Sequence, residues 1–242
     1  MAETDYNKWS KEDLLLLDHN NHEEVFYKYI KGSAYTKFKQ KYLHNWIKPR
    51  KNDYFLECGS SSGKTCIDLS LKSGCRTLGI DFDANATEVS NRLKKKFFSD
   101  LKRCSFIEGD LETIIFDKDI NKIIMADFSE HIPDRVFKNI LDNIKNQLPY
   151  VTLYIYTPLR THFLDILRHK GIILKRFSGH INVKTKPELI NFLESNCWKI
   201  ESFTFVTSYL PIVRNVENFF IKIPFLRDFF ARKIAIIVRP VN

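Results

Sequence analysis

The sequence predicts an α/β protein with a seven-stranded, mostly parallel sheet, helices on both faces and an antiparallel last strand. From residue 53 onward, short apolar runs alternate with segments of helical periodicity. Strict alternation of strands and helices implies right-handed βαβ units and a mostly parallel sheet. Two further apolar runs near the C-terminus predict a hairpin-like pair that completes the seven strands.

Length and composition agree with this class of protein. The chain has 242 residues, the length of one large α/β domain or of two small ones. Its 44% apolar and 28% charged residues are ordinary for a globular protein and argue against extended disorder. The net charge of +9, from 38 Lys and Arg against 29 Asp and Glu, raises nucleic acid as a partner to be tested against the motifs.

The five cysteines do not indicate a structural framework. Their number is odd and no two of them form a C-x-x-C pair, so neither a disulfide framework nor a zinc cluster is predicted. The N-terminus has no apolar signal-peptide core, and no apolar run has the roughly 18–20 residues of a membrane span. We therefore expect a cytoplasmic protein.

Residues 1–50 predict an N-terminal helical cap rather than an independent domain, with the main domain over 51–242. Aromatic and apolar residues recur there every three to five positions, as on helix faces. They are Val25, Tyr29, Ile30, Tyr35, Phe38 and Tyr42.

The first half of the main domain alternates regularly. Apolar runs predict strands over 54–58, 77–80, 105–107 and 122–126, and helical spacing predicts helices over 64–71 and 87–98. The segment 133–148 predicts a helix with Pro133 at its first turn, where a missing N–H costs nothing.

The second half continues the pattern. A strand is predicted over 151–156, and final strands over 203–207 and 234–238. Thr185 and Glu188 have the spacing of a capping box and predict a helix that ends at Glu194. Before the last strand, 209–233 forms an insertion rich in Phe, Ile and basic side chains.

The sharpest local signal is the segment 57–63, ECGSSSG, where the first strand turns into the first helix of the main domain. Glycine and serine allow a tight turn and a close ligand approach, and a helix N-terminus offers free N–H groups. A dinucleotide turn requires G-x-G-x-x-G, which the spacing of Gly59 and Gly63 does not match. A P-loop requires one more residue before Gly63.

The segment resembles the [DE]-x-G-x-G-x-G motif of class I S-adenosylmethionine-dependent methyltransferases, which have a Rossmann-like fold. Glu57, Gly59 and Gly63 match this motif, whereas Ser61 replaces its middle glycine. Later segments match the family in order over roughly 50–205. They are Asp81 after the second strand, Asp110 after the third, the segment 126–134 after the fourth, Thr157-Pro158 after the fifth, and His180 followed by Thr185, Glu188 and Leu189.

The resemblance extends to the branch of the family that acts on small molecules, including ubiquinone-biosynthesis and glycan or natural-product O-methyltransferases. It implies S-adenosyl-L-methionine as cofactor and methyl transfer, to an oxygen of a small metabolite, sugar or lipid-linked acceptor. It implies these cofactor-binding residues: Glu57, Gly59, Ser60, Ser61, Gly63, Asp81, Phe82, Asp110, Leu111, Ala126 and Asp127.

Three of these carboxylates have structural alternatives. Glu57 is also suited to the N-terminus of the following helix, because acids stabilise helix N-termini. Asp81 lies in a turn-rich segment and is also suited to a turn. Asp110 is also suited to capping the segment that follows it.

His131 and His180 are the candidate catalytic bases for an acceptor hydroxyl. Asp127, Glu130 and His131 have i, i+3, i+4 spacing and are expected to share one helical face. With His180 they form a carboxylate and imidazole set that suits a divalent metal. The alternative is a structural or cofactor-lining role for the histidines.

The motifs argue against a nucleic-acid methyltransferase. Adenine N6 enzymes of this fold carry [DN]-P-P-[YFW] after the fourth strand, where this chain has Asp127-Phe128-Ser129-Glu130. Cytosine C5 enzymes need a Pro-Cys pair, which the sequence lacks. The basic run 94–96 is typical of a solvated helix face.

The insertion 209–233 has three candidate roles. Its basic and aromatic residues at helical spacing suit a lid over the acceptor, a dimer face or a membrane-surface contact. We expect a monomer or a homodimer. The alternative to an enzyme is a cofactor-binding, catalytically silent regulatory or scaffold subunit.

Overall fold

A computed structural model describes residues 33–164, 166 and 179–241. Its strands are β1 Tyr54–Cys58, β2 Arg76–Asp81, β3 Cys104–Glu108, β4 Lys122–Ala126, β5 Thr152–Pro158, β6 Trp198–Val206 and β7 Lys233–Pro240. Its helices are α1 Ala34–Ile47, α2 Lys64–Ser73, α3 Ala84–Phe97, α4 Asp134–Gln147, α5 Lys186–Ser195, α6 Pro211–Phe220 and α7 Arg227–Phe230, with a short 3₁₀ helix at Ser129–His131.

The predicted sheet is confirmed. Its seven strands have the order β3-β2-β1-β4-β5-β7-β6. β1 pairs in parallel with both β2 and β4, and β2 pairs in parallel with β3. β6 and β7 are antiparallel, as the predicted closing pair requires.

The chain divides into two compact units. The described part of the amino-terminal unit is 33–125 and 142–154, and that of the carboxy-terminal unit is 126–141 and 155–241 without 165 and 167–178. In the amino-terminal unit every residue of β1 is buried, since a central parallel strand is covered on both faces. Its core includes a cluster of Cys66, Ile67, Leu93, Cys104 and Phe106.

The carboxy-terminal unit is built around β7 and the helices beside it. β7 begins with four buried residues, Lys233 to Ile236. The ring of Phe137 on α4 stacks on that of Phe192 on α5, with centroids 5.1 Å apart. β6 pairs only with β7 among the described strands, and much of its middle is exposed, as expected of a strand at a sheet edge.

The structure confirms one predicted helix start and corrects another. The capping box at α5 is confirmed: Thr185 Oγ1 accepts from Glu188 N–H at 3.4 Å, and Glu188 Oε2 accepts from Thr185 N–H at 2.8 Å. Pro133 precedes α4 instead of lying in its first turn, and its carbonyl accepts from Phe137 N–H.

Other boundaries also shifted. β6 begins at Trp198 rather than 203, and α3 at Ala84 rather than 87, where Asp83 accepts from Asn85 N–H. Among the described residues, no helix combines the length and apolar character needed to cross a membrane.

Part of the predicted N-terminal cap is described. α1 carries Tyr35, Phe38 and Tyr42 and buries Leu43 and Ile47. The predicted positions Val25, Tyr29 and Ile30 lie outside the described residues. The division of the chain at residue 50 stays a prediction.

Candidate functional site

The turn between β1 and α2 has an unusual backbone. Gly59, Ser61 and Gly63 have φ values of 65°, 48° and 72°, in the left-handed region that favours glycine. The N–H groups of Gly59 and Ser60 both donate to the carbonyl of Ile80, at 2.9 and 3.2 Å. The turn is therefore fixed against the end of β2.

Two glycines beside this turn leave no room for a side chain. A Cβ on Gly63 would lie 2.4 Å from the Phe106 ring. A Cβ on Gly79 would lie 2.6 Å from the same ring and 2.7 Å from Ser60 Oγ. All three distances are shorter than real Cβ contacts, so Phe106 packs directly against the two glycines.

Ser61 adopts the conformation of the glycine that it replaces. Its N–H donates to Asp81 Oδ2 at 2.7 Å, and its carbonyl accepts from Ser90 Oγ at 2.6 Å. These bonds hold a non-glycine residue at positive φ, a conformation that costs of order 1–3 kcal/mol.

Two hydroxyls in the turn are buried without a hydrogen-bond partner among the described residues. Ser60 is 4% exposed and Ser62 is fully buried, and neither Oγ has a partner. A buried polar group left unpaired costs roughly 1–3 kcal/mol, so such groups usually mark a ligand or water position. The predicted Ser60 therefore lies in a polar cradle, to which the structure adds Ser62.

Asp81 connects the end of β2 to this turn. It is 8% exposed, and its carboxylate accepts from Ser61 N–H and, through Oδ1 at 3.1 Å, from Asp83 N–H. A carboxylate has about four acceptor positions, so two backbone bonds are compatible with a further donor. The neighbouring Phe82 is 37% exposed.

Glu57 is engaged by α2. It is 5% exposed, and its Oε2 accepts from Cys66 N–H in the first turn of α2 at 3.2 Å. Burial raises the pKa of Glu57, and the hydrogen bond with Thr65 opposes this. This contact is the structural alternative for Glu57, while a cofactor contact stays a prediction.

Asp110 orders the segment after β3. Its Oδ1 accepts from Glu112 N–H at 3.0 Å, and its Oδ2 accepts from Thr113 Oγ1 at 3.4 Å. Leu111 is buried, and its carbonyl accepts from Asn143 Nδ2 at 3.0 Å. These bonds fit the capping alternative for Asp110, and its adenine contact also stays a prediction.

In the carboxy-terminal unit, Asp127 is held by a lysine that the sequence analysis did not identify. Asp127 follows Ala126 with φ of 59°, and its carboxylate pairs with Lys233 at the start of β7. Burial alone would lower the pKa of Lys233, but the Asp127 charge outweighs it and the pKa is raised. Nζ also lies 4.7 Å from the centre of the Tyr156 ring.

Glu130, His131 and His180 come together in the same unit. One ligand atom from each lies within 4.8 Å of the others, and the two imidazole rings are 5.0 Å apart at 82°. Glu130 is 1% exposed; its Oε2 accepts from Thr157 Oγ1 at 3.1 Å, whereas its Oε1 has no partner among the described residues. Burial, followed by the Asp127 charge, raises the pKa of Glu130.

The predicted arrangement of Asp127 on the same helical face is wrong. Only Ser129–His131 is helical, as one 3₁₀ turn, and Asp127 precedes it in a left-handed conformation. Lys233 binds the Asp127 carboxylate, and the described metal-type group contains only Glu130 and the two histidines.

Sequence reasoning missed Lys233, Ser62 and Phe106. Lys233 stands at the edge of an apolar run, where a lysine normally reaches solvent, so no sequence signal separated it from the other 37 lysines and arginines. The glycines at 63 and 79 could have indicated that a large side chain such as Phe106 packs against them, because only residues without Cβ leave room for a ring there.

The fold matches solved methyltransferase structures. A geranyl diphosphate C-methyltransferase from Streptomyces coelicolor A3(2), in complex with Mg²⁺, geranyl diphosphate and S-adenosyl-L-homocysteine, has a TM-score of 0.62 and 13% identity over 85% of this chain and 80% of that one. A mitomycin 7-O-methyltransferase has a TM-score of 0.64 and 14% identity over 94% of this chain and 60% of that one. A geranyl diphosphate methyltransferase in complex with S-adenosylmethionine has a TM-score of 0.61 and 14% identity over 93% of this chain and 92% of that one.

These matches show the fold. No protein-family model and no curated protein sequence matches the chain. At identities of 13% and 14%, the likeness to solved structures extends to architecture alone. The chain therefore has the fold of class I S-adenosylmethionine-dependent methyltransferases, with the strand order and antiparallel closing pair described above.

Proposed function

We propose that this protein is an S-adenosylmethionine-dependent methyltransferase that acts on an oxygen of a small metabolite, sugar or lipid-linked acceptor. The observation that carries the proposal is the turn between β1 and α2. It combines three positive φ values, an Asp81 carboxylate bonded to the turn, and the buried hydroxyls of Ser60 and Ser62, which have no partner in the described part of the chain. Open α/β sheets bind ligands at such carboxyl ends of parallel strands.

The residues of this turn suit a nucleoside. Asp81 would accept the hydroxyls of the ribose, as carboxylates at the end of the second strand do in dinucleotide sites. The hydroxyls of Ser60 and Ser62 are donors and acceptors for the polar groups of the same ligand. Phe82, Asp110 and Leu111 would line the adenine, and Glu57 would hold α2 in register with the turn.

S-adenosylmethionine carries its own activated methyl, so the protein has to position the acceptor and exclude water. The protein's remaining task is to take the proton from an acceptor hydroxyl. We assign this to His131 or His180, whose rings lie 5.0 Å apart. Glu130, buried beside them, would orient an imidazole.

A divalent cation is a second assignment for the same group. The Oε1 of buried Glu130, which has no partner within the described ranges, and the two imidazoles fit a metal such as Mn²⁺ or Zn²⁺. Asp127 does not fit as a ligand, because Lys233 pairs with it. A cation there would polarise the acceptor oxygen and make a separate base unnecessary.

Turnover is tested by incubating purified protein and labelled cofactor with fractionated metabolite and lipid extracts, and measuring S-adenosylhomocysteine. We expect acceptor-dependent product, and a roughly 10²–10⁴-fold lower kcat for His131→Asn or His180→Asn. His44→Asn, on α1, is the control and should retain the wild-type rate. Cofactor binding without product from any fraction would instead identify the catalytically silent scaffold.

The metal assignment has its own readout. Titration of metal-free protein with Mn²⁺ alone in a calorimeter should show binding that His180→Asn abolishes. EDTA treatment should then remove turnover, and Mn²⁺ should restore it. No Mn²⁺ binding, together with EDTA-resistant turnover, would leave the histidines as base and positioning residue.

A further inference from the structure

The insertion between β6 and β7 exposes large apolar side chains. α6, the residue before it and the loop after it contain five strongly exposed apolar side chains, from 43% to 84% exposed. They are Leu210, Ile212, Val216, Phe219 and Phe225, and we call this surface the α6 face. Contiguous exposed apolar groups are uncommon on soluble proteins and usually mark an interaction site.

α6 is oriented opposite to an ordinary surface helix. Ile212, Val216 and Phe219 are at i, i+4 and i+7, so they share one side of the helix, and that side faces solvent. Glu217 is fully buried on the other side. The sequence therefore buries a carboxylate and exposes isoleucine, valine and phenylalanine.

The buried carboxylate is well fixed. Glu217 Oε2 accepts from Ser208 N–H, and Oε1 is hydrogen-bonded to Nε2 of His162 at 3.1 Å. His162 is itself 1% exposed. Both partners keep Glu217 turned inward, because releasing it would leave buried polar groups unpaired.

This arrangement removes negative charge from the α6 face. Apart from the half-buried Asp228, Glu217 is the only acidic residue of the insertion 209–233, which also contains Arg214, Lys222 and Arg227. Lys222 is exposed, and the two arginines are partly exposed. The surface is consequently apolar and cationic.

The rings behind the α6 face provide a firm support. Phe220, at the end of α6, stacks on Phe230 of α7, with centroids 4.3 Å apart at 15°. Phe230 also contacts Phe163, at 5.4 Å. The exposed residues are thus presented by packed helices, and their exposure is part of the fold.

We propose that the α6 face docks on an anionic phospholipid surface. Apolar side chains flanked by Lys and Arg are the composition of helices that lie in a membrane interface, where rings enter the acyl boundary and cations meet anionic headgroups. A second copy of this chain fits less well, since a two-fold interface would set the same cationic patch against itself. The surface is independent of the methyltransferase assignment.

Vesicle flotation of the full chain tests the docking. We expect the protein to float with phosphatidylcholine vesicles containing 30% phosphatidylglycerol at least ~10-fold more strongly than with phosphatidylcholine alone, because anionic lipid attracts each nearby cation. Added NaCl should reduce flotation through screening. Lys222→Gln should weaken it.

Matched variants distinguish the α6 face from general stickiness. Ile212→Asp and Phe225→Ser, at residues 82% and 84% exposed, should each weaken flotation by roughly 10-fold or more. The controls Ile115→Asp and Tyr150→Ser, at 85% and 86% exposed in the other unit, should float like wild type. Unchanged melting temperatures would show that all four variants are folded.

Three results would overturn the proposal. The first is wild-type protein that does not float with anionic vesicles. The second is equal loss of flotation in the controls and the α6 variants. The third is a dimer in light scattering that Ile212→Asp converts to a monomer without any change in flotation, which would assign the face to a second copy.

Discussion

Ser61 has a positive φ in the turn after β1 although it is not glycine. It holds φ of 48° where the family motif has glycine, and it is retained by its bonds with Asp81 and Ser90. The sequence predicted a turn here because glycine and serine allow a tight turn, and the positive φ values of Gly59 and Gly63 agree with it. It could not predict that serine would adopt the same backbone, since that depends on partners 20 and 29 positions away.

Substitutions at Ser61 test the strain directly. Ser61→Gly should change the free energy of unfolding by less than about 1 kcal/mol, because relief of strain and the greater entropy of unfolded glycine offset each other. Ser61→Val should lower it by about 1–3 kcal/mol, because a β-branched side chain disfavours positive φ. Urea denaturation measures both.

Ser105→Val is the control for that series. Ser105 is an exposed residue of β3, where a β-branched side chain is favourable, so its change should stay within about 0.5 kcal/mol. Equal stability of Ser61→Val and Ser105→Val would show that position 61 is unstrained.

Glu130 carries a pH dependence of stability. Burial and the Asp127 charge raise its pKa above the ordinary 4.5, so the charged form is disfavoured in the folded protein. The contribution of Glu130 is then fully present below pH 4.5 and is lost as the pH rises through its folded pKa. Relative to Glu130→Gln, wild type should lose stability over that window.

Denaturation of both proteins between pH 4 and 8 measures this difference. Glu194→Gln, at an exposed position of α5, should run parallel to wild type throughout. If wild type instead became more stable relative to Glu130→Gln as the pH rises, the assigned direction of the pKa shift would be contradicted.

For most helices and strands, local sequence patterns predicted the boundaries. They failed where contacts with distant residues determine the boundary or the orientation. The capping box at Thr185 and Glu188 located α5 from four residues, because both bonds of the box are local. β6 was predicted five residues too short at its start because only its later apolar run was counted as strand. Lys199 and Glu201 alternate with apolar residues, a pattern that indicates a half-exposed strand. The inward direction of Glu217 on α6 had no local signal, since its partners His162 and Ser208 lie outside the helix.

Removing the Glu217 carboxylate should destabilise α6. Glu217→Ala leaves Ser208 N–H and His162 without their acceptor in a fully buried position, so we expect a loss of about 2–4 kcal/mol in the free energy of unfolding. Glu201→Ala, which removes an exposed pair with Lys199, should cost less than about 1 kcal/mol. Similar losses in the two variants would show that Glu217 contributes little.

At the scale of the whole molecule, the strand order was predictable because regular alternation leaves few topologies. Connections between parallel strands are right-handed, which limits the possible strand orders. Polar or small residues follow each apolar run and mark the end of the strand. The positive-φ turn at Gly59 and Gly63 and the position of Asp81 beside it were predictable, whereas their contact with a cofactor stays a prediction. The environment of Asp127 was not predictable, because its carboxylate is bound by Lys233 from a strand 106 positions away in the sequence.

Cofactor binding should raise the stability of the folded chain as a whole. At a concentration 100 times the Kd, a ligand that binds only the folded state adds about 2.7 kcal/mol. For a chain of this size each kcal/mol raises Tm by about 2–4 °C, so S-adenosylmethionine should raise Tm by roughly 5–10 °C. Inorganic triphosphate at the same concentration should leave Tm nearly unchanged, since the turn lacks the spacing of a P-loop.

Asp81 and the turn after β1 together form the proposed nucleoside site. Calorimetric titration with S-adenosylmethionine measures binding to this site. We predict saturable binding to the wild-type chain, at least ~10-fold weaker binding to Asp81→Ala because a charged hydrogen-bond acceptor is lost, and unchanged binding to the exposed control Asp100→Ala. Absence of binding to folded wild-type protein, or equal affinity in Asp81→Ala, would contradict the account.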